Sequence, residues 1–150
     1  MSDRAQEMIL RIPSDFRYLG AVDAAVQDLA REFAFAPDAV NDMSTALIEA
    51  CSNAIEHGNR YAKDKRVTVT LRFNGDAFTA LVRDQGRGFD FEAALRQPHP
   101  PDPMSERGRG LLIMKAFTDS MRYTRSRDGL CCELIKRRSG DLEGQEWSAD

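Results

Sequence analysis

From Arg66 to Phe73 the residues alternate without a break. Val67, Val69, Leu71 and Phe73 fall on one side of an extended chain, and Arg66, Thr68, Thr70 and Arg72 on the other. This predicts a strand with one buried and one wet face. Asn74-Gly75 follows as a hairpin signal, with Ala77 to Asp84 as the returning strand. Helical spacing governs Leu19, Val22, Val26, Leu29, Ala30 and Phe33, predicting a helix from about Phe16 to Phe33 capped by Ser14 or Asp15. Pro37 opens a second helix, where its missing N–H does no harm, and Gly58 stops it as a C-cap. Met8 to Pro13 is a short first strand, and Asn59 to Lys65 a polar loop. Leu111 to Phe117 makes a short helix, and Ser120 to Arg125 pairs with Leu130 to Lys136 around Arg127-Asp128-Gly129. Between Gln85 and Gly110 periodicity fades, glycine is frequent, and Pro98, Pro100, Pro101 and Pro103 interrupt the chain. A loop of that length in a small domain is commonly a functional lid.

The resulting order, β-α-α-β-β-loop-α-β-β, predicts an α/β two-layer sandwich. Its sheet is mixed but mainly antiparallel, with the helices on one face. One domain is expected over residues 1–138, followed by a frayed, polar and acidic tail over 139–150 in which Trp147 stands out. Composition agrees: 42% hydrophobic and 30% charged residues in 150 suit a globular chain with a real core. The net charge of -3 gives no general attraction to nucleic acid or to a membrane. No apolar run approaches the roughly 18 residues of a spanning helix, and the start is polar and acidic, unlike a secretory leader. Cys51, Cys131 and Cys132 are odd in number and lack metal-ligand spacing, so buried reduced thiols and a cytoplasmic setting are expected.

Three stretches carry candidate chemistry. On the second helix, Glu49, Asn53 and His57 recur every four residues and form a polar stripe beside the apolar Met43, Leu47, Ala50 and Ala54. Polar groups at a core's edge require partners or a purpose. Asn53 can offer an oxygen to Mg²⁺ and Glu49 can accept a proton, although an ordinary amphipathic helix bordering solvent explains the same pattern. Asp84-Gln-Gly86-Arg-Gly88 follows a strand end, where the glycines let the backbone approach a flat ligand and Asp84 can accept a hydrogen bond from an exocyclic amine. Glu106-Arg-Gly108-Arg-Gly110 is a glycine loop opening a helix. Its free N–H groups, with Arg107 and Arg109, suit phosphates. It has neither P-loop order nor a surrounding β-α-β unit.

In this order the three stretches resemble the Bergerat-fold (GHKL) ATPases. More closely, they resemble bacterial anti-sigma-factor serine/threonine kinases, whose Glu-Ala-x-x-Asn-Ala-x-x-His-Gly box is matched by Glu49-Ala50, Asn53-Ala54 and His57-Gly58. The similarity runs from about Met8 to Arg137. It implies ATP and Mg²⁺ as cofactors, with Glu49 as the general base toward a serine hydroxyl, Asn53 as metal ligand and Asp84 as the reader of the adenine amine. Gly86 and Gly88 would shape the base pocket, while Gly108 and Gly110 would close a lid over the phosphates. His57, Arg107, Arg109 and Leu111 complete the implied nucleotide-binding set. One departure stands at Gly129: the family often places Thr next, whereas here Leu130 and Cys131 follow, which implies a weakened or reshaped adenine site.

The resemblance further implies a partner-switching protein kinase, usually a homodimer. Such a kinase binds a sigma factor and phosphorylates a small antagonist of the STAS fold, without touching nucleic acid or membrane itself. The alternative is a nucleotide-gated binding module without kinase activity, whose lid switches partner affinity; Glu49 speaks against it. A gyrase-like ATP-hydrolysing subunit is disfavoured because the chain has no transducer domain.

Overall fold

In the computed structural model, which describes residues 5–86, 106–138 and 146–149, the chain opens with β1 (Gln6–Pro13). A 3-10 turn (Phe16–Tyr18) follows, capped by Asp15, whose carboxylate accepts the Arg17 N–H at 2.9 Å. It leads into α1 (Leu19–Glu32) and then α2 (Pro37–Asn53). The alternating segment forms β2 (Arg66–Phe73), and its hairpin partner is β3 (Ala77–Arg83). After α3 (Glu106–Phe117) come β4 (Ser120–Ser126), β5 (Gly129–Arg137) and β6 (Glu146–Ala149).

The six strands form one sheet in the order β1-β2-β3-β5-β4-β6. Every pairing is antiparallel except that of β6, which runs parallel to β4. The mixed, mainly antiparallel sandwich is therefore as expected, with α2 packed between α1 and α3 over the sheet. Two expectations need correction. The tail is not wholly frayed: Glu146–Ala149 pairs with β4 and sets Trp147 opposite Met121. Four residues are too few for a periodicity signal, and the pairing adds backbone hydrogen bonds to an edge that composition does not reveal. The last helix also begins at Glu106 rather than Leu111, so Gly108 and Gly110 lie in its opening turns and not in a loop ahead of it.

The dry side of β2 is realised in space, with Val67, Val69, Leu71 and Phe73 fully buried beneath the helices, but the other side is only partly wet: Arg72 is exposed while Thr70, flanked by β1 and β3, is buried. Phe73 anchors the end of the core distant from the β3 terminus. It stacks on Phe78 at 4.0 Å and on Phe33 at 5.0 Å between ring centres, and Phe35 meets it edge-on at 5.3 Å. Phe73→Ala removes the common partner of three rings and leaves a cavity. It is expected to cost about 3–5 kcal/mol, measured by denaturant unfolding. A loss below about 1 kcal/mol would contradict this picture of the core.

Candidate functional site

The site begins where α2 ends. After Asn53 the helix widens into a π turn, Ala54–Gly58, closed by the Asn59 N–H donating to Ala54 O at 2.8 Å. Such single π turns recur at functional sites. The helical segment ends at Gly58 as expected, and the residues that adopt positive φ just beyond it are Arg60 and Tyr61, at 53° and 59°. Each costs on the order of 1–3 kcal/mol of backbone strain. Gly58 is needed for another reason: a Cβ there would lie 2.2 Å from Asp84 Oδ2. The glycine of the His-Gly box thus makes room for the aspartate of the second motif.

Asp84 is 6% exposed at the end of β3. Its Oδ1 accepts the N–H of Gly86 at 3.0 Å and that of Leu130 at 3.1 Å, while its own N–H donates to Leu130 O at 3.0 Å. The bonds from Leu130 use only backbone, so replacing the family's threonine region by Leu130 and Cys131 leaves this side of the frame intact. Gly86 is locked in as well, since a Cβ on it would sit 1.7 Å from Gly58 O. Oδ2 faces Gly58 and, among the described residues, accepts no hydrogen bond. Burial pushes the Asp84 pKa above the usual carboxylate value. The two N–H bonds, and the positive charges of Lys65 and Arg125, pull the other way and only partly offset it.

Asn53 lines the same narrow cleft as Asp84, together with Ala50, Val82, Tyr123, Leu130 and Cys132, with a volume of only about 10 Å³. The Asn53 amide is 6% exposed and its Nδ2 makes no hydrogen bond of normal geometry. It lies beside the Tyr123 hydroxyl, whose pKa burial drives well above the usual value and which Asn53 pulls slightly down. The unpaired nitrogen is a donor that suits a ligand oxygen such as that of a phosphate, while Oδ1, 3.7 Å from where a Cβ on Gly110 would lie, is the atom of this amide able to ligate a metal. Among the described residues no cluster of three or more His, Cys, Asp or Glu could hold a metal alone. This donor set fits Mg²⁺, which is commonly held by one or two protein oxygens and the substrate's phosphates.

The opening turns of α3 lie directly on the polar stripe. A Cβ on Gly110 would lie 3.0 Å from Glu49 Oε2 and 3.6 Å from Asn53 Nδ2. Glu49, Asn53 and Gly110 therefore meet, as do Asp84, Gly86 and Gly58. Arg107, Gly108 and Arg109 occupy the first turn of α3, and their side chains, like Gly88, lie outside the described residues. Leu111 was expected at the nucleotide but is 2% exposed in the hydrophobic core with Met114. The earlier helix start turns it inward. His57 sits 3.7 Å from Glu56, its side chain 14% exposed, and is not among the residues lining the cleft. The π turn breaks the four-residue stripe that would have aligned it with Asn53. The cysteine expectation holds for Cys51 and Cys132, buried thiols whose pKa values burial raises, while Cys131 is half-buried.

Sequence reasoning missed Asn59, assigned to a polar loop. It is 1% exposed and bonded to three separate segments. The only signal for it was its place directly after the His-Gly box. Tyr123 and Cys132 were also missed as cleft residues, because inward positions on a strand look like plain core.

Comparison with known proteins agrees with this arrangement. Residues 12–136 match the histidine kinase-like ATPase domain family. The serine-protein kinase RsbW of Bacillus subtilis is 28% identical over 149 residues, covering 94% of this chain and 91% of its own length. The RsbW of Bacillus velezensis is 29% identical over the same span. A crystal structure of the RsbU and RsbW domains of a Mycobacterium tuberculosis protein superposes with a TM-score of 0.65 at 20% identity, covering 88% of this chain and 32% of that longer one. The histidine kinase domain of a blue-light activated Erythrobacter litoralis kinase gives 0.52 at 16% identity over 85% of this chain and 62% of its own. These two structures support the fold alone. Among the described residues no helix is long and apolar enough to cross a membrane.

The raised pKa of Asp84 has a measurable consequence. Its proton binds at a pH above the ordinary aspartate range, turning an acceptor oxygen into a donor. If Oδ2 accepts the adenine amine, as the resemblance implies, affinity for ATP is expected to fall on mild acidification, and Asp84→Asn to flatten the profile. Folding does not confound the result: a carboxyl that holds its proton more tightly when folded favours the fold as pH falls. Calorimetry across neutral to mildly acidic pH checks it; a flat wild-type profile, or one unchanged by Asp84→Asn, would contradict the role of Oδ2.

Proposed function

From the premise that this chain belongs to the histidine kinase-like ATPase domain family, we propose that it is an ATP-dependent protein serine/threonine kinase of a partner-switching system. It binds a sigma factor and phosphorylates a STAS-type antagonist, working as a cytoplasmic homodimer. The RsbW relatives, named as serine-protein kinases, support the kinase class. The observation that carries the reading is the position of Glu49, beside Asn53 of the cleft and at the edge of a separate groove.

On one side Glu49 adjoins Asn53 and the start of α3. On the other it borders an open groove of about 430 Å³ between α1 and α2, lined also by Asp23, Gln27, Asn41, Ser44, Thr45 and Ile48. A carboxylate so placed can meet a phosphate donor from the cleft and a protein hydroxyl from the groove. A pure nucleotide switch requires no carboxylate facing both.

In this reading Asp84 accepts the adenine amine through Oδ2, and Gly58 and Gly86 let the base lie close to the backbone. The N-terminal turns of α3, with Arg107 and Arg109, offer N–H groups and positive charge to the phosphates. Asn53 offers its oxygen to Mg²⁺, which when bound neutralises charge building on the phosphate oxygens. Glu49 takes the proton of the acceptor serine, raising its nucleophilicity. Phosphoryl transfer asks little more of a protein than this positioning and charge.

Glu49→Gln keeps the shape and removes the base. Transfer to a bound antagonist is expected to slow by about 10²–10⁴-fold, with ATP affinity nearly unchanged, as measured with labelled ATP and by calorimetry. A mutant as fast as wild type would remove Glu49 from its role. If the wild type transfers no phosphate to a partner it demonstrably binds, the protein is a nucleotide-gated binding module instead.

A further inference from the structure

We infer that Asn59 is a positioning residue for base recognition, holding the turn that aims Asp84; this rests on the reading of Asp84 proposed above. The Asn59 side chain sits where three segments of the chain converge. Its Oδ1 accepts the backbone N–H of Gln85 at 2.7 Å. Its Nδ2 donates to Ser14 Oγ at 2.9 Å and to the Arg66 carbonyl at 3.1 Å. These partners fix the orientation of the amide, because one end faces a donor and the other faces two acceptors. Ser14 is itself anchored, its hydroxyl donating to Lys65 O at 2.8 Å. Gln85 is held from its other end too, its Oε1 accepting the Arg66 N–H at 2.5 Å.

The consequence falls on Asp84. Gln85 lies between Asp84 and Gly86, and the Gly86 N–H is one of the two donors that orient the Asp84 carboxylate. Asn59 directly follows Gly58, whose carbonyl packs against Gly86 and whose Cα faces Asp84 Oδ2. The amide thus fastens the end of the π turn to the Asp84-Gln-Gly turn and sets the distance between them. Without it the Gln85 N–H would lose its protein partner, and the turn between Asp84 and Gly86 would lose the bond that ties it to the end of the π turn. A shift of that turn re-aims Oδ2 while leaving the phosphate end of the cleft, at Asn53 and Gly110, unchanged. Loss of Asn59 should therefore damage the discrimination between bases more than nucleotide binding in general.

The test is calorimetric binding of Mg·ATP and Mg·GTP to the full chain. Wild type is expected to prefer ATP, since guanine presents a carbonyl oxygen to Oδ2. Asn59→Ala is expected to lower ATP affinity roughly tenfold and leave GTP affinity nearly unchanged, so that the ratio collapses. Ser14→Ala removes one of the two acceptors of Nδ2 and should shift the ratio the same way by a few-fold; it carries the test if Asn59→Ala does not fold. Leu29→Ala, a core change in α1, serves as the stability control and should leave the ratio alone. An unchanged ratio in Asn59→Ala or, failing that variant, in Ser14→Ala overturns the inference, as does an equal fall in Leu29→Ala. A wild type that does not distinguish ATP from GTP overturns the underlying reading of Asp84 and this inference with it, a failure distinguishable from the first.

Discussion

A buried carboxylate must be surrounded by donors or become neutral, and the end of β3 shows how this chain handles that constraint. Asp84 is held by two backbone N–H groups on one oxygen and presses the other against Gly58. The frame closes only if backbone comes closer than a side chain allows, at Gly58 and at Gly86. The π turn after α2, the strained Arg60 and Tyr61, and the Asn59 amide all serve this close approach. Strain of this kind persists where surrounding structure over-determines it, and here the sheet, α2 and the β2 entry do so together.

A second junction depends on the first. Because α2 is pinned by its far end to Asp84, its polar stripe is fixed against the opening turns of α3. There Gly110 lets the α3 backbone reach Glu49 and Asn53. In the proposed reading, the base-reading and phosphate-side groups are thus tied to two ends of one element. A nucleotide spanning both would couple the position of α3 to the identity of its base, and a partner resting on α3 or the α1–α2 groove would sense it.

The sheet was legible because its signal is local: the alternation of β2 and the turn residues at Asn74 need no knowledge of distant chain. Glu49 and Asn53 were legible for a different reason, since polar residues at a core's edge are costly enough to require a purpose, and Asp84 stood out by its place at a strand end ahead of two glycines. What stayed hidden is tertiary. The π turn arises from packing against Asp84 and moved His57 off the stripe that simple helical spacing had assigned. Nothing in the glycines of Glu106 to Gly110 tells a loop from a helix's first turns, and the helix start decided that Leu111 belongs to the core. Asn59 looks like any loop asparagine until Ser14, Arg66 and Gln85 are brought around it. The pairing of β6 depends on an open strand edge that only the assembled sheet presents.

The central claim is that Asp84 and Asn53 mark the two ends of one nucleotide site, with Glu49 beside its phosphate end. A crystal structure with Mg²⁺ and a non-hydrolysable ATP analogue tests this most directly. The expected result has the adenine amine within hydrogen-bond reach of Asp84 Oδ2, the metal on the Asn53 oxygen, and the terminal phosphate beside Glu49. A base bound away from Asp84, or a metal that ignores Asn53, would contradict it.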